Sequence, residues 1–578
     1  MKHRHLYIAA LVVFFTSFSG LFVGLRSDSA RDLYYKVKQN VMLFGQVYQA
    51  ITDRYVEEVD PEKFIRAGIH GMLDELDPYS VYLEKESSDE LRIMTEGKYY
   101  GVGMRIVIRN GWATVAEPPF PNSPAARAGI REGDQIISVD GQSTKGFSLS
   151  ETANKLRGRE KGSAVTIQIK RYGEEKPLEF RLLRDEIEVT DVHYTGFVRP
   201  NIGLIKLDRF NRSAGQQVRE AVQSLKDQGM TALILDLRGN PGGLLDVAVS
   251  VADNFIDKGE LIVYTQGRWE NTRQEYRASR ESLIGDMPMA VLVDGYSASA
   301  SEIVAGAIQD LDRGVVLGSE TFGKGLVQTV VPLDRRGERQ VKITTAQYYM
   351  PSGRLIQRPE VFNRGPGSVL VNSSDSVAQK TKESKQQKEN EKDAPKYFTQ
   401  NGRTVYGGGG IKPDIESSSF RMNRYEIELM RRSMFFNYGL EYVDKHPNLA
   451  KDFALSEEDI ESFFQFVDNK EFDYKPEGFQ ELEEIAKIAQ EENYYDELAP
   501  SIDAMKEKFE IVKQKERKAS QDHIRFFLKR EIAGKAFGRD AYTEAMFASD
   551  STLIKAVNVL QSPDEYNKIL GTKLATSE

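Results

Sequence analysis

The stretch MAVLVDGYSASASE, residues 289–302, contains the strand, the turn and the helix start around which the rest of the fold can be read. Met289 to Val293 is an apolar run of the buried-strand type, and the small and apolar residues from Ile303 to Leu311 suit a packed helix. The serines therefore lie where a strand becomes a helix. At such a junction, unpaired backbone N–H groups and the positive end of the helix dipole favour a developing oxyanion. We expect a serine nucleophile here.

A second segment, TFGKGLVQ at residues 321–328, supplies the base that a serine hydroxyl needs. The chain has six histidines and none lies between His193 and His446, so Lys324 is the better candidate. Its free pKa of about 10.4 must fall by roughly 3 units, which burial in an apolar pocket can supply. Gln328 can then hold the neutral amine by a hydrogen bond.

Each motif also has a plain structural interpretation. The serines can be a helix cap followed by small packing residues, and the glycine-flanked lysine can be a turn with a solvated side chain. A phosphate-binding loop is disfavoured, because Gly325 rather than Ser or Thr follows Lys324.

A third motif, ALILDLRGNPGG at residues 232–243, is a buried strand that ends in a glycine-rich turn. Its glycines allow backbone N–H groups to approach a ligand closely, so Gly243 or Gly242 can donate to an oxyanion beside the N–H of Ala300. The same glycines would also be expected in a tight turn that binds no ligand. The residues by themselves choose neither between the two glycines nor among Ser297, Ser299 and Ser301.

Taken in order, these three motifs resemble the carboxy-terminal processing (tail-specific) serine proteases. Further matches are YYMPSGR at 348–354 and GGIKPDI at 409–415, so the resemblance runs from about residue 30 to 416. It implies an α+β multidomain chain whose protease core is built from strand-strand-helix units like those of Clp protease and crotonase. An inserted PDZ domain, N-terminal helices and a helical C-terminal extension complete the expected architecture.

The resemblance also implies roles for individual residues. It makes Ser299 the nucleophile, Lys324 the general base and Gln328 the residue that orients the lysine. It makes Ala300 and Gly243 the oxyanion donors. It implies no metal or organic cofactor.

Upstream, the series NSPAARAGI at 122–130, EGD at 132–134 and IISVDG at 136–141 resembles a PDZ domain spanning about 97–184. Such domains bind a peptide as an extra strand and capture its terminal carboxylate with loop N–H groups. The candidate carboxylate loop consists of Gly101, Val102, Gly103 and Met104, although a glycine pair before a strand is more often a bulge or turn. Protein or peptide substrates with free C-termini are therefore the expected partners.

Composition narrows the choice of partners. The formal net charge is -9 and no basic stripe is present, which makes nucleic acid an unexpected partner. The chain contains no cysteine, so thiol catalysis, thiolate metal sites and disulfides are excluded.

Lys2 and Arg4 precede twenty uncharged residues from Leu6 to Leu25, about 30 Å as a helix. We expect an anchor in the cell inner membrane that crosses once and leaves the catalytic domain in the periplasm. A cleavable signal peptide is the alternative, but its apolar core is normally shorter and no Ala-x-Ala site follows before Arg26.

The remaining segments are assigned by pattern. Residues 1–27 form the anchor or signal, 28–96 a helical region with helices over Leu33–Tyr55 and Pro61–Leu76, and 185–416 the protease core. Residues 373–395 are polar and form an expected mobile insertion. Residues 417–578 read as an acidic helical extension that gates the site, binds an adaptor or regulatory protein, forms a homo-oligomer or simply stabilises the core.

The predicted function is a serine endopeptidase with a Ser299/Lys324 dyad, which cleaves proteins selected through their C-terminal tails. Two other classes stay open. One is a peptide-binding scaffold whose protease site never assembles. The other is an acyl-CoA enzyme of the crotonase type, against which the PDZ-like region and the export segment both count.

Overall fold

The structure, a computed structural model, describes residues 28–359, 394–417 and 422–572. The chain divides into two compact units, one up to Tyr82 and one from Leu83. The first unit contains helices α1 (Asp28–Arg54) and α2 (Pro61–Asp74), and strand β1 (Val81–Leu83) spans the boundary. Asp60 is the N-terminal cap of α2, because its side chain accepts a hydrogen bond from the N–H of Glu62 at 2.9 Å. Both predicted N-terminal helices are therefore confirmed.

The second unit opens with helix α3 and a separate antiparallel sheet in the order β3-β4-β5-β7-β8, with β6 paired to β5. The apolar residues of this sheet form their own buried core with α4 and α5. Flanking strands β2 and β9 pair with each other, Lys98 opposite Glu188 and Gly101 opposite Asp185. The chain therefore enters and leaves this region through neighbouring strands. The elements are α3 (Lys85–Glu96), β2 (Lys98–Gly101), β3 (Ile106–Arg109), β4 (Trp112–Val115), α4 (Pro124–Arg127), β5 (Gln135–Val139), β6 (Gln142–Ser143), α5 (Leu149–Leu156), β7 (Ala164–Lys170), β8 (Leu178–Leu183) and β9 (Asp185–Glu188).

A six-stranded sheet in the order β10-β11-β12-β15-β16-β21 forms the centre of the second unit. Strands β11, β12, β15, β16 and β21 are parallel, and β10 is antiparallel to β11. Parallel strands are buried on both faces, which explains why β12 and β15 are apolar almost throughout. The elements are β10 (Val192–Arg199), β11 (Ile202–Leu207), α6 (Ala214–Asp227), β12 (Ala232–Asp236), α7 (Leu245–Ala252), β13 (Leu261–Gly267), β14 (Gln274–Arg277), β15 (Met289–Val293), α8 (Ala300–Asp310), β16 (Val315–Gly318), β17 (Leu326–Pro332), β18 (Gln340–Tyr349), β19 (Lys396–Phe398), β20 (Thr404–Tyr406) and β21 (Ile415–Glu416).

Helices α6, α7 and α8 cover one face of this sheet. Strands β13, β14, β17 and β18 form an antiparallel group beside it, in which β18 pairs with both β13 and β17. The predicted α+β multidomain fold is confirmed.

The C-terminal helices contribute to two separate buried cores. Helices α9, α10, α11, α14 and α15 surround an aromatic core that includes Phe435, Phe463 and Phe527. Helices α16 and α17 instead cover the second face of the central sheet, where Leu553 and Tyr566 are buried among its strands. The elements are α9 (Arg424–Arg431), α10 (Met434–Lys445), α11 (Glu457–Asn469), α12 (Phe479–Glu491), α13 (Tyr495–Ala519), α14 (Gln521–Phe537), α15 (Arg539–Glu544), α16 (Ser551–Gln561) and α17 (Pro563–Ile569).

A capping box formed by Ser456 and Asp459 begins α11. The apolar side chains of α13 are only partly buried. Ile502 is 3% exposed, whereas Met505 is 54% exposed.

The described residues contain no helix that is both long enough and apolar enough to cross a bilayer. Helix α1 has the length, at 27 residues, but it carries Asp32, Lys36 and Lys38. This finding contradicts the predicted single-pass location in the inner membrane, and we withdraw that prediction. The segment expected to span, 6–25, lies outside the described residues, as do 373–393 of the expected insertion.

Truncating a side chain of α16 should destabilise the whole second unit. We expect Leu553→Ala to lower the free energy of unfolding by about 3 kcal/mol, because Leu553 is 1% exposed against the sheet. The matched control Ile511→Ala, on a side chain that is 52% exposed, should change it by less than about 0.5 kcal/mol. Urea denaturation measures both, and equal effects would contradict the burial of α16 on the core.

Candidate active site

Ser299 lies at the junction that the sequence predicted, immediately before α8 and shortly after β15. Its backbone has φ 55° and ψ -111°, a conformation that an L-residue adopts only at a cost of about 1–3 kcal/mol. Its N–H donates to the carboxylate of Glu302 at 2.8 Å, one turn into the helix. This sharp turn holds the serine clear of the buried strand that precedes it.

The three serines of the motif have different surroundings. The hydroxyl of Ser297 donates to the carbonyl of Leu237, and the hydroxyl of Ser301 donates to the carbonyl of Asn240, each at 2.9 Å. Both side chains are fully buried. Ser299 is the one of the three that is partly exposed.

The lysine segment lies against the same helix start. Gly323 has φ +86°, and a Cβ there would lie 2.8 Å from the Cβ of Arg358. Gly325 donates its N–H to the side chain of Gln357 at 2.9 Å, and a Cβ at Gly325 would lie 2.8 Å from the backbone nitrogen of that residue. Glycine is required on both sides of Lys324 for this packing, as the sequence indicated. The lysine side chain is half-buried.

The carboxylate of Glu302 joins the two segments. It accepts hydrogen bonds from the N–H of Ser299 at 2.8 Å, of Gly323 at 2.7 Å and of Lys324 at 2.9 Å, and from the hydroxyl of Thr321 at 2.5 Å. Burial raises the pKa of this carboxyl, and the four hydrogen bonds act in the opposite direction. Because one oxygen accepts from both Ser299 and Lys324, their backbone nitrogens lie within two hydrogen-bond lengths of each other.

A tyrosine makes a second connection between the same two residues. The hydroxyl of Tyr348 contacts the carbonyl oxygen of Ser299 at 3.2 Å and also that of Lys324. Its ring is 1% exposed. Sequence reasoning assigned no role to Glu302 or Tyr348. For Glu302 the signal was its position three residues after the helix cap, where a carboxylate reaches back to the cap N–H.

The glycine turn after β12 lies directly beside Ser299. A Cβ on Gly242 would lie 2.5 Å from the carbonyl oxygen of Ala298 and 2.9 Å from the nitrogen of Ala300, so only glycine fits. The Gly242 N–H is already taken, because it donates to the side chain of Asn240 at 2.9 Å. Among the described residues no partner is found for the N–H of Gly243 or of Ala300.

Gln328 lies on β17, close behind the lysine in the chain. Its side-chain amide donates to the hydroxyl of Thr344 on β18 at 3.3 Å. Among the described residues, no cluster of His, Asp and Glu side chains is arranged to hold a metal ion.

The predicted carboxylate loop forms a tight turn after β2. Gly103 has φ +77°, and a Cβ there would lie 2.3 Å from the Cβ of Ser123. Two of the loop carbonyls are occupied, since those of Val102 and Gly103 accept hydrogen bonds from the N–H groups of Ala125 and Phe120 at 2.9 and 3.0 Å. The N–H groups of residues 102–104 have no partner among the described residues.

Family models match four parts of the chain. Residues 201–362 match "Peptidase family S41", 119–171 match "PDZ domain", 425–560 match "Probable PDZ-protease, C-terminal helical domain", and 26–87 match "Activating protease CtpB N-terminal domain". The PDZ match lies within the region predicted at 97–184.

Individual relatives are similar over about half of the chain. A carboxy-terminal-processing protease of Bartonella bacilliformis is 40% identical over 318 residues, 54% of this chain and 72% of the relative. A protein of Staphylococcus aureus named "Probable CtpA-like serine protease" is 36% identical over 320 residues, 55% of this chain and 62% of the relative. The solved photosystem II D1 C-terminal processing protease is 30% identical with a TM-score of 0.32, covering 56% of this chain and 92% of that one.

Glu302→Gln should loosen the connection between the two segments. The amide NH₂ of glutamine would face N–H donors, so we expect the free energy of unfolding at pH 7 to fall by about 3 kcal/mol. Urea denaturation checks this against Glu416→Gln, a change at a carboxylate whose side chain is 74% exposed. An unchanged unfolding midpoint for Glu302→Gln would show that the carboxylate does not hold the site together.

Proposed function

Because the chain belongs to the carboxy-terminal-processing proteases, a family of serine-type peptidases, we propose that it cleaves peptide bonds with Ser299 as nucleophile and Lys324 as general base. The observation that supports this dyad most is the double connection between the two residues. The Glu302 carboxylate binds both backbone N–H groups, and the Tyr348 hydroxyl contacts both carbonyls. Two side chains that start from backbone held in this way can approach each other without a large rearrangement.

The proposed reaction proceeds in two steps. The hydroxyl oxygen of Ser299 attacks the substrate carbonyl carbon as its proton passes to the neutral amine of Lys324. Collapse of the tetrahedral intermediate breaks the C–N bond, and the lysine returns the proton to the leaving amine. The same lysine then deprotonates a water molecule, which attacks the acyl carbon. The ester C–O bond to Ser299 breaks, and the lysine returns the proton to the Ser299 oxygen. We assign to Gln328 the role of orienting the lysine side chain from β17.

Gly243 and Ala300 are the proposed oxyanion donors. Both have N–H groups without a partner among the described residues, and Gly242, in contact with Ser299, places the turn beside the nucleophile. Gly242 itself is the weaker choice, because its N–H already binds Asn240. Donors fixed in advance stabilise developing charge without reorganisation, and each contributes about 3–4 kcal/mol in comparable enzymes.

Substrate choice is assigned to the PDZ domain. In the buried turn at residues 101–104, the carbonyls of Val102 and Gly103 are occupied, whereas the three successive N–H groups of residues 102–104 have no partner among the described residues. Such a group of donors suits the two oxygens of a terminal carboxylate. We therefore propose that the protease selects proteins by their free C-terminal ends. An adaptor and a homo-oligomer stay predictions from the sequence.

Removing either member of the dyad should abolish turnover. We expect Ser299→Ala and Lys324→Ala each to lower kcat on an unstructured peptide by at least about a thousandfold, because nucleophile or base is lost. Release of a fluorescent fragment measures the rate.

The controls for this experiment are a serine and a lysine with other surroundings. Ser297→Ala removes a buried structural hydroxyl, and Lys412→Ala removes an ammonium group whose side chain is 48% exposed. Both should keep kcat within about threefold of the wild-type value. The dyad would be refuted by a Ser299→Ala or Lys324→Ala enzyme that cleaves as fast as these controls.

The proposed binding of a peptide carboxylate by residues 101–104 can be tested with substitutions at two glycines. Amidation of the peptide C-terminus should raise KM about tenfold or more in the wild-type enzyme, because charged hydrogen bonds are lost. Gly103→Ala, which forces a Cβ against Ser123, should remove that difference. Gly111→Ala is the matched control, since Gly111 has the same φ of +77° but open space around its Cβ position. Equal KM values for free and amidated peptides in the wild type would contradict tail selection.

A further inference from the structure

One carboxylate, that of Asp550, connects the start of α16 to Arg238 in the turn beside the active site. Asp550 is the residue before α16, and its Oδ1 accepts from the N–H of Leu553 at 3.0 Å, which caps the helix. The same side chain binds the guanidinium of Arg238, at 3.0 Å from Nη1 to Oδ1 and 2.7 Å from Nη2 to Oδ2. Only 10% of the Asp550 side chain and 20% of the Arg238 side chain are exposed.

Arg238 is the first residue of the turn that ends in the proposed oxyanion donor. The opposite edge of its guanidinium binds Asp236, with Nε to Oδ1 at 2.9 Å and Nη2 to Oδ2 at 2.8 Å. Its backbone carbonyl accepts from Nζ of Lys206 at 3.1 Å. The arginine therefore lies between two carboxylates, one on the strand that precedes the turn and one on the C-terminal helical region.

The rest of the turn continues this chain of contacts towards Ser299. The N–H of Gly239 donates to Asp294 at 3.0 Å, and the carbonyl of Asn240 accepts from the N–H of Ala298 at 3.1 Å. Two and three residues after Asn240, the chain reaches Gly242 and Gly243. The position of the Gly243 N–H thus depends on a short segment whose first side chain is held by Asp550.

Charge balance explains why both carboxylates are needed. Arg238 and Lys206 bring two positive charges to a mostly buried cluster, and Asp236 and Asp550 bring two negative ones. With Asp550 neutral, the cluster keeps one uncompensated positive charge in a poorly solvated place. Such a charge is costly, and a shift of the arginine towards water would relieve the cost at the expense of the turn.

We propose that Asp550 is a positioning residue of the active site, holding through Arg238 the turn of residues 238–243 that presents the Gly243 N–H to the oxyanion. This inference rests on the proposed function. It gives the C-terminal helical region a part in catalysis beyond covering the central sheet.

The test is Asp550→Asn in the full chain. Asparagine is as good a helix cap as aspartate, so the substitution removes the charge and keeps the cap. We expect kcat to fall about tenfold with KM unchanged, because the turn acts on the oxyanion and not on peptide binding. Glu428→Gln is the matched control, since Glu428 is a buried carboxylate of the same region that binds Arg424 and Arg431 and contacts no residue of the site.

A pair of inhibitors separates positioning from general destabilisation. A peptide aldehyde forms a hemiacetal with Ser299 whose oxygen occupies the oxyanion position, whereas the matching peptide alcohol binds without that bond. Asp550→Asn should weaken inhibition by the aldehyde about tenfold and leave inhibition by the alcohol unchanged. A merely structural residue would weaken both alike or neither.

The outcomes distinguish the inference from its premise. If Ser299→Ala is inactive while Asp550→Asn matches the wild type in kcat and in aldehyde inhibition, the positioning role is overturned and the dyad stands. If Ser299→Ala is active, the proposed function itself fails. Should Asp550→Asn not fold, Asp550→Ser, which also keeps a capping oxygen, must show the same split in kcat and inhibition. Failure of both variants to fold would count against the inference, because Asp550 would then act on stability alone.

Discussion

One buried carboxylate imposes the constraint on which the site depends. Glu302 must accept four hydrogen bonds, and its donors come from two separate segments, the turn at Ser299 and the residues from Thr321 to Lys324. A carboxylate with no exposed surface is tolerated only when all of its donors are in place, so the two segments can be ordered only together. The backbone of Ser299 and the backbone of Lys324 therefore lie close together because both satisfy the same buried charge.

The surrounding architecture follows from the parallel sheet. Strands such as β12 and β15 are apolar on both faces and need a cover on each. Helices α6 to α8 supply one cover, and the distant helices α16 and α17 supply the other. The C-terminal region is thus partly an extension with its own aromatic core and partly an integral layer of the protease. Because α16 covers the second face of the sheet, its first residues also contact the turn at residues 238–243.

The sequence predicted much of the site, because its signals are local. The strand at 289–293, the helix after Ser299 and the need for glycine on both sides of Lys324 follow from apolar runs and from small residues at close approaches. The sequence does not distinguish Ser299 from Ser297 and Ser301, because these two serines are buried only by tertiary packing. The role of Glu302 depends on donors 19 to 22 residues away, and that of Asp550 on a partner 312 residues away. No local pattern encodes such distances.

The pairing of β2 with β9 has a consequence for how this architecture can change. The PDZ region begins after β2 and ends before β9. Because these two strands pair with each other, the two ends of the region lie side by side. A module attached in this way can be replaced by another of different size, because the distance between its two attachment points does not depend on its interior. A change of size within this region therefore need not move the elements that hold Ser299 and Lys324.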